Sequence, residues 1–89
     1  MNIAFLNGTY LPLEEARISP MDRGFLFGDG IYEVVPSYAG KMVGFAPHME
    51  RMNNGLSAIG IDLGWSENDW ADLCAQLIEK NGADNLGIY

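Results

Sequence analysis

Few side chains in this 89-residue chain can do chemistry: Arg17, Arg23, Arg51, Lys41, Lys80, His48, Cys74 and twelve carboxylates. A metal centre needs several such ligands at short, recognised spacings. His48 and Cys74 stand 26 residues apart on different predicted helices, so no metal site is expected. Ser37 and Ser57 sit in no Gly-x-Ser-x-Gly elbow, which removes the nucleophilic triad. Gly24, Gly28 and Gly30 are not placed between a strand and a helix, and no Lys-Ser/Thr pair follows them, so they make neither a P-loop nor a dinucleotide turn. The three arginines remain as groups that could hold a small anion, because a guanidinium stays charged and offers a planar fork of donors. By spacing alone Arg51 reads first as an exposed helix arginine paired with Glu50 or another acid.

The chain that must position these groups is small. At this length a domain hides only about 60 to 65 per cent of its unfolded surface, so two packed layers are the limit. Apolar residues form 48 % and charged residues 19 %, a globular composition that excludes disorder, collagen and coiled coil. A net charge of −7 would repel a nucleic-acid backbone or an anionic membrane at long range. All three arginines precede residue 62, whereas residues 62–89 carry six acids against Lys80, so a local positive site for a small anion belongs to the first part. The single cysteine cannot form an internal disulfide, and the start has no basic region followed by an apolar stretch. Both fit a cytoplasmic protein.

Apolar runs at 3–6 and 9–13 around Asn7-Gly8 predict a hairpin with a type I′ turn. Residues 14–22 are an irregular connection and 23–30 a glycine-studded loop with aromatic anchors. Ile31 to Tyr38 reads as a strand, turned by Ala39-Gly40 into another at Lys41 to Phe45. Pro36 argues for an edge or a bulge, because it gives no ladder hydrogen bond. Met49, Met52, Leu56 and Ile59 predict a helix over about 47–59, weakened by Gly55 and therefore dependent on tertiary contact. Ser66 to Asp69 resembles a capping box opening a second helix, with a stripe of Trp70, Leu73, Cys74, Leu77 and Ile78 that ends near Gly82. Leu86 to Tyr89 reads as a strand inside which the chain stops, as though cut. The expected class is α+β, an antiparallel sheet with two packed helices.

Asp22-Arg23-Gly24-Phe25, then Phe27-Gly28-Asp29-Gly30-Ile31-Tyr32-Glu33-Val34, Gly40-Lys41 and His48-Met49-Glu50-Arg51 occur in order. Together they resemble the N-terminal domain signature of the class IV (fold type IV) pyridoxal-phosphate aminotransferases. The resemblance runs clearly from about Leu6 to Ile61, and more weakly to the end through Leu86 to Tyr89. Tyr32-Glu33-Val34-Val35 is most similar to the D-amino acid aminotransferases. Branched-chain aminotransferases and aminodeoxychorismate lyases are the neighbouring alternatives within the family. Pro36, Ala39 and Gly55 depart from the pattern, where the family more often has a basic or polar residue, an asparagine and a serine.

The resemblance implies that Arg51 grips the phosphate of pyridoxal 5'-phosphate. It also implies that Tyr32 points its hydroxyl toward the substrate carboxylate, with Val34 on the same face as a wall beside the substrate. Glu33 is expected to face away from Tyr32 with its role open, and His48 is left unassigned. Arg23 and Asp29 are expected to fix the loop rather than to touch substrate. The cofactor requires a lysine to hold its aldehyde. Lys41, at a predicted turn, and Lys80, near a helix end, stand where the family has no catalytic lysine.

Residues 1–89 are therefore expected to be the small N-terminal domain of a two-domain transaminase, with no catalytic residue of its own and inactive alone. The implied reaction moves an amino group from a D-amino acid such as D-alanine to a 2-oxo acid, in an enzyme that is commonly a homodimer. A reading of another class is a non-catalytic binding or assembly module, recruiting a second chain through Phe25-Leu26-Phe27 and the last strand.

Overall fold

The computed structural model describes residues 2–89. The first hairpin forms as the pattern requires, with β1 (Ile3–Leu6) antiparallel to β2 (Thr9–Pro12) and Phe5 opposite Tyr10. Asn7 and Gly8 both take positive φ, 51° and 87°, the conformation a two-residue type I′ turn needs. After a single 3-10 turn at Leu13–Glu15 the chain runs irregularly to Asp22.

The glycine-studded stretch is not all loop. Residues Arg23–Phe27 form a short helix, α1, whose first turn is capped by the Asp22 carboxylate accepting from the Gly24 amide at 2.8 Å. A Cβ at position 24 would stand 2.9 Å from that carboxylate oxygen, so a larger residue there would make the Asp22 side chain shift. Gly28 closes the helix in the left-handed conformation. The aromatic residues of α1 are not anchors: Phe25 and Phe27 are 69 % and 65 % exposed.

A second sheet has the order β4-β3-β5, with β3 (Val35–Tyr38) between β4 (Lys41–Met42) and β5 (Asn85–Ile88), all antiparallel. The protein is α+β, as expected, with its strands divided between two sheets rather than gathered in one. Both strands before the first long helix are shorter than the pattern suggested. Residues 31–34 are extended without ladder partners, and Phe45 belongs to a helix. Pro36 sits in the central strand, not at an edge. Its carbonyl accepts from the Val43 amide at 2.9 Å, so its nitrogen faces the side of β4, just where that strand ends.

Two long helices complete the fold, α2 (Phe45–Ala58) and α3 (Glu67–Asn81), with α3 lying against β1 and β5 and α2 against α3. Pro47 lies in the first turn of α2, where its missing N–H costs no helical hydrogen bond. Of the proposed α2 stripe, Met49 is buried, Met52 and Leu56 are half-buried, and Ile59 lies outside the helix and exposed. α3 carries the full capping box: Ser66 Oγ accepts from the Asp69 amide at 3.1 Å, and the Asp69 carboxylate accepts from the Ser66 amide at 2.8 Å. Gly82 ends α3 in the left-handed conformation.

Asn81 ties α3 to the first hairpin. Its side chain accepts from the Ile3 amide at 2.8 Å and donates to the Ile3 and Leu77 carbonyls at 3.0 and 2.7 Å. Aromatic rings reinforce the join, with centroids 5.1 Å apart for Phe5 and Tyr10, 6.3 Å for Phe5 and Trp65, and 4.7 Å for Trp65 and Trp70.

Among the described residues only Val35, Met49 and Cys74 are fully buried apolar side chains. The accessible surface is 6390 Å², against roughly 5,200 Å² for a compact monomer of this mass. The radius of gyration is 13.7 Å, against roughly 12 Å for this length. Two thin layers that bury so little leave much apolar surface facing outward. No helix among the described residues is long and apolar enough to cross a membrane.

Candidate functional site

Alternation organises the segment that leads into β3. Ile31 packs on α2 at Gly55, Glu33 reaches the α2 side chains, and Val35 and Ser37 are buried. Tyr32, Val34 and Tyr38 are exposed. Odd positions are therefore covered, with Ile31 and Glu33 meeting the helix, and even positions are the more exposed, the period of an extended chain even where no ladder forms. Segment and helix come close at Gly55, where a Cβ would meet Ile31 carbons at 3.0 Å and Ile31 would have to give by a few tenths of an ångström.

Between segment and helix opens a hollow of about 410 Å³, lined by Gly30, Ile31, Tyr32, Glu33, Arg51, Asn54 and Gly55. Arg51 and Tyr32 thus border one cavity. Tyr32 is 70 % exposed, and its ring lies 5.8 Å from that of Tyr89. Val34 is on the Tyr32 face but outside the lining of the hollow, packed toward Gly87 of β5.

Arg51 pairs with an acid, though not with Glu50. Its Nη2 donates to Glu33 Oε1 at 2.6 Å, and His48 Nδ1 meets the same oxygen at 2.7 Å. An ionised carboxylate only accepts hydrogen bonds, so Nδ1 carries the hydrogen. The 3.4 Å approach of Arg51 Nη2 to Nδ1 then joins two donors and is not a bond. Hydrogen bonds from His48 and then from Arg51 hold the Glu33 carboxyl below its ordinary pKa, against a smaller opposing effect of desolvation. The Glu33 side chain is only 11 % exposed while that of Arg51 is 68 % exposed, so the acid is the fixed partner of the pair.

Arg23 and Asp29 form the local clasp expected of them, with Nη2 to Oδ2 at 2.7 Å and Nε to Oδ2 at 2.8 Å. Neither residue lines the hollow, and neither does a lysine. Lys41 lies in the second sheet's hairpin, and Lys80 has its ammonium 4.9 Å from the Tyr10 ring centroid on the first hairpin.

Residues 30–89 match the family described as amino-transferase class IV. The chain belongs to that family. It is similar along its whole length to D-alanine aminotransferases, at 39 % identity to that of Staphylococcus haemolyticus and 38 % to that of Staphylococcus epidermidis. Identity to the Bacillus licheniformis enzyme is 34 %, again over the whole chain. The chain spans about a third of those relatives, 32 % of each staphylococcal protein and 31 % of the Bacillus one.

The chemistry of the donor set fits part of the cofactor that class IV aminotransferases generally use. The hydrogen bond of Arg51 to Glu33 runs through Nη2, which leaves Nε and Nη1 able to face a phosphate. An amine to hold the aldehyde is missing from this wall. The two residues whose roles the sequence left open, Glu33 and His48, are joined to this group: Glu33 pairs with Arg51, and His48 binds the same Glu33 oxygen. The alternation of residues 31–37 was the signal for Glu33, since it sends that carboxylate toward the helix carrying the other two groups.

Proposed function

We propose that these 89 residues are the N-terminal domain of a pyridoxal-phosphate-dependent transaminase acting on a D-amino acid such as D-alanine and a 2-oxo acid. The observation that carries this reading is the hollow bordered by both Arg51 and Tyr32 in a chain of the class IV family. When bound, the cofactor supplies an electron sink for carbanion chemistry at the amino-acid carbon. Arg51 binds its phosphate, as a permanent cation with unengaged N–H groups at the rim. Tyr32 orients the substrate through its phenol, and Val34 beside it on the same face limits the width of the side chain accepted.

The wall holds no amine, so the lysine that captures the aldehyde belongs to a further domain, and residues 1–89 do not transaminate alone. The large exposed surface supports this reading, because a second domain and a second copy of the enzyme would both have apolar surface to cover. A cytoplasmic homodimer is the expected form of the whole enzyme.

The test is cofactor retention by the full-length protein. Losing the charged hydrogen bonds of Arg51 should weaken pyridoxal-phosphate binding in Arg51→Ala by roughly 10- to 100-fold. Unchanged retention would instead favour a non-catalytic assembly module. A substrate panel on the full-length enzyme separates D-alanine from branched-chain amino acids and aminodeoxychorismate. Transamination by the isolated 89 residues would overturn the argument from the missing amine.

A further inference from the structure

Arg51 is an exposed, rotamer-rich side chain, and a phosphate site built on it alone would have to freeze that side chain each time the ligand bound. The structure supplies something that freezes it beforehand. Glu33 Oε1 takes Arg51 Nη2 at 2.6 Å from a side chain that is itself nearly covered. Glu33 is held in turn: His48 Nδ1 donates to the same oxygen, and the residues two before and two after it, Ile31 and Val35, are packed against Gly55 and buried. The His48 ring lies over Gly44 at the start of α2, and its amide donates to the Gly44 carbonyl at 3.1 Å. This connected set runs from the β3 segment to the first turns of α2, and Arg51 is its exposed end.

We propose that Glu33 is a positioning residue, a carboxylate that touches no ligand but aims the Arg51 guanidinium at the rim of the hollow and keeps His48 in its Nδ1–H form. The inference rests on Arg51 being the phosphate ligand. Two opposed effects of Glu33 make it testable. Its negative charge repels a phosphate and by itself weakens binding. Its oxygen fixes the fork and strengthens binding. Positioning is held to be the larger effect.

The measurement is the pyridoxal-phosphate dissociation constant of the full-length protein, with the 31P chemical shift of the bound phosphate as a second readout. Glu33→Ala should weaken binding about tenfold and shift the 31P resonance. Glu33→Gln keeps an accepting oxygen without the charge and should remain within about threefold of the parent, whereas Glu33→Asp keeps the charge but withdraws the oxygen and should behave like the alanine variant. Should Glu33→Ala not fold, the Gln and Asp pair decides the question alone. Near-parental binding by Asp with weak binding by Gln overturns the proposal, as does binding by Glu33→Ala that equals or exceeds the parent.

In an Arg51→Ala background, Glu33→Ala should add less than about twofold, because its effect passes through Arg51. A further loss there would mean that Glu33 acts by another route, which also overturns the proposal. If Arg51→Ala itself retains the cofactor fully, the phosphate reading fails. If Arg51→Ala loses it and Glu33→Ala does not, only the positioning role fails.

Discussion

Removing the Asn81 side chain gives the sharpest test of how the two layers are joined. Asn81→Ala deletes three hydrogen bonds of 2.7 to 3.0 Å and strands the half-buried Ile3 amide and carbonyl, which lie 78 residues away in sequence. Each bond contributes about 1 kcal/mol net. The Leu77 carbonyl can be partly satisfied by water at the helix end, so the expected loss is about 2 kcal/mol. For a domain of this length that lowers Tm by about 8 to 16 °C.

The assay is thermal unfolding of the chain by far-ultraviolet circular dichroism, with amide exchange at Ile3 as a local reporter. Ile3 should lose protection before the α3 amides do. Asn81→Asp keeps the oxygen that accepts from Ile3 but loses both donations and puts a negative charge at the C-terminal end of α3, where the helix dipole disfavours it. It should be at least as damaging at neutral pH. If Asn81→Ala melts within about 2 °C of the parent with Ile3 protection intact, the aromatic contacts alone hold the layers and the reasoning is wrong.

At Gly55, alanine should raise helix propensity by about 1 kcal/mol, yet Gly55→Ala is expected to give no net gain because of the 3.0 Å approach to Ile31. In an Ile31→Ala background the same substitution should recover about 1 kcal/mol, and additive denaturation midpoints would refute the close contact. The Glu33 pKa is lowered in the folded state, so its contribution to stability is complete above its ordinary carboxylate value and disappears as pH falls through the lower folded value. Acid titration of stability should therefore show a loss in that window that is smaller in Glu33→Gln, and identical acid profiles would contradict the geometry.

Local patterns in the sequence carried most of the architecture. Asn7-Gly8 specifies the first hairpin, and the Ser66 capping box with its apolar stripe specifies α3, each through contacts within a few residues, and both elements formed there. What stayed hidden depends on neighbours far along the chain. Arg23–Phe27 looked like loop because glycine counts against a helix, whereas Asp22 caps that turn with its carboxylate close against Gly24. Residues 31–34 have strand composition but no partner to pair with. Within the site, Arg51 and Tyr32 were named by resemblance, and both border one hollow. Glu33 was not, because its role comes from α2 residues 15 and 18 positions away.

Pro36 also acts as a ruler. Lacking an amide hydrogen, it accepts from Val43 but cannot donate in return, so the pairing that Ser37 and Tyr38 make with Met42 and Lys41 ends on a half-made rung. The chain leaves the sheet at that level, turns through Gly44 and starts α2 at Phe45. From there the pitch of the helix alone fixes how high His48 and Arg51 stand above the sheet. Pro36 thus marks the level from which the helix rises to the guanidinium, fifteen residues on.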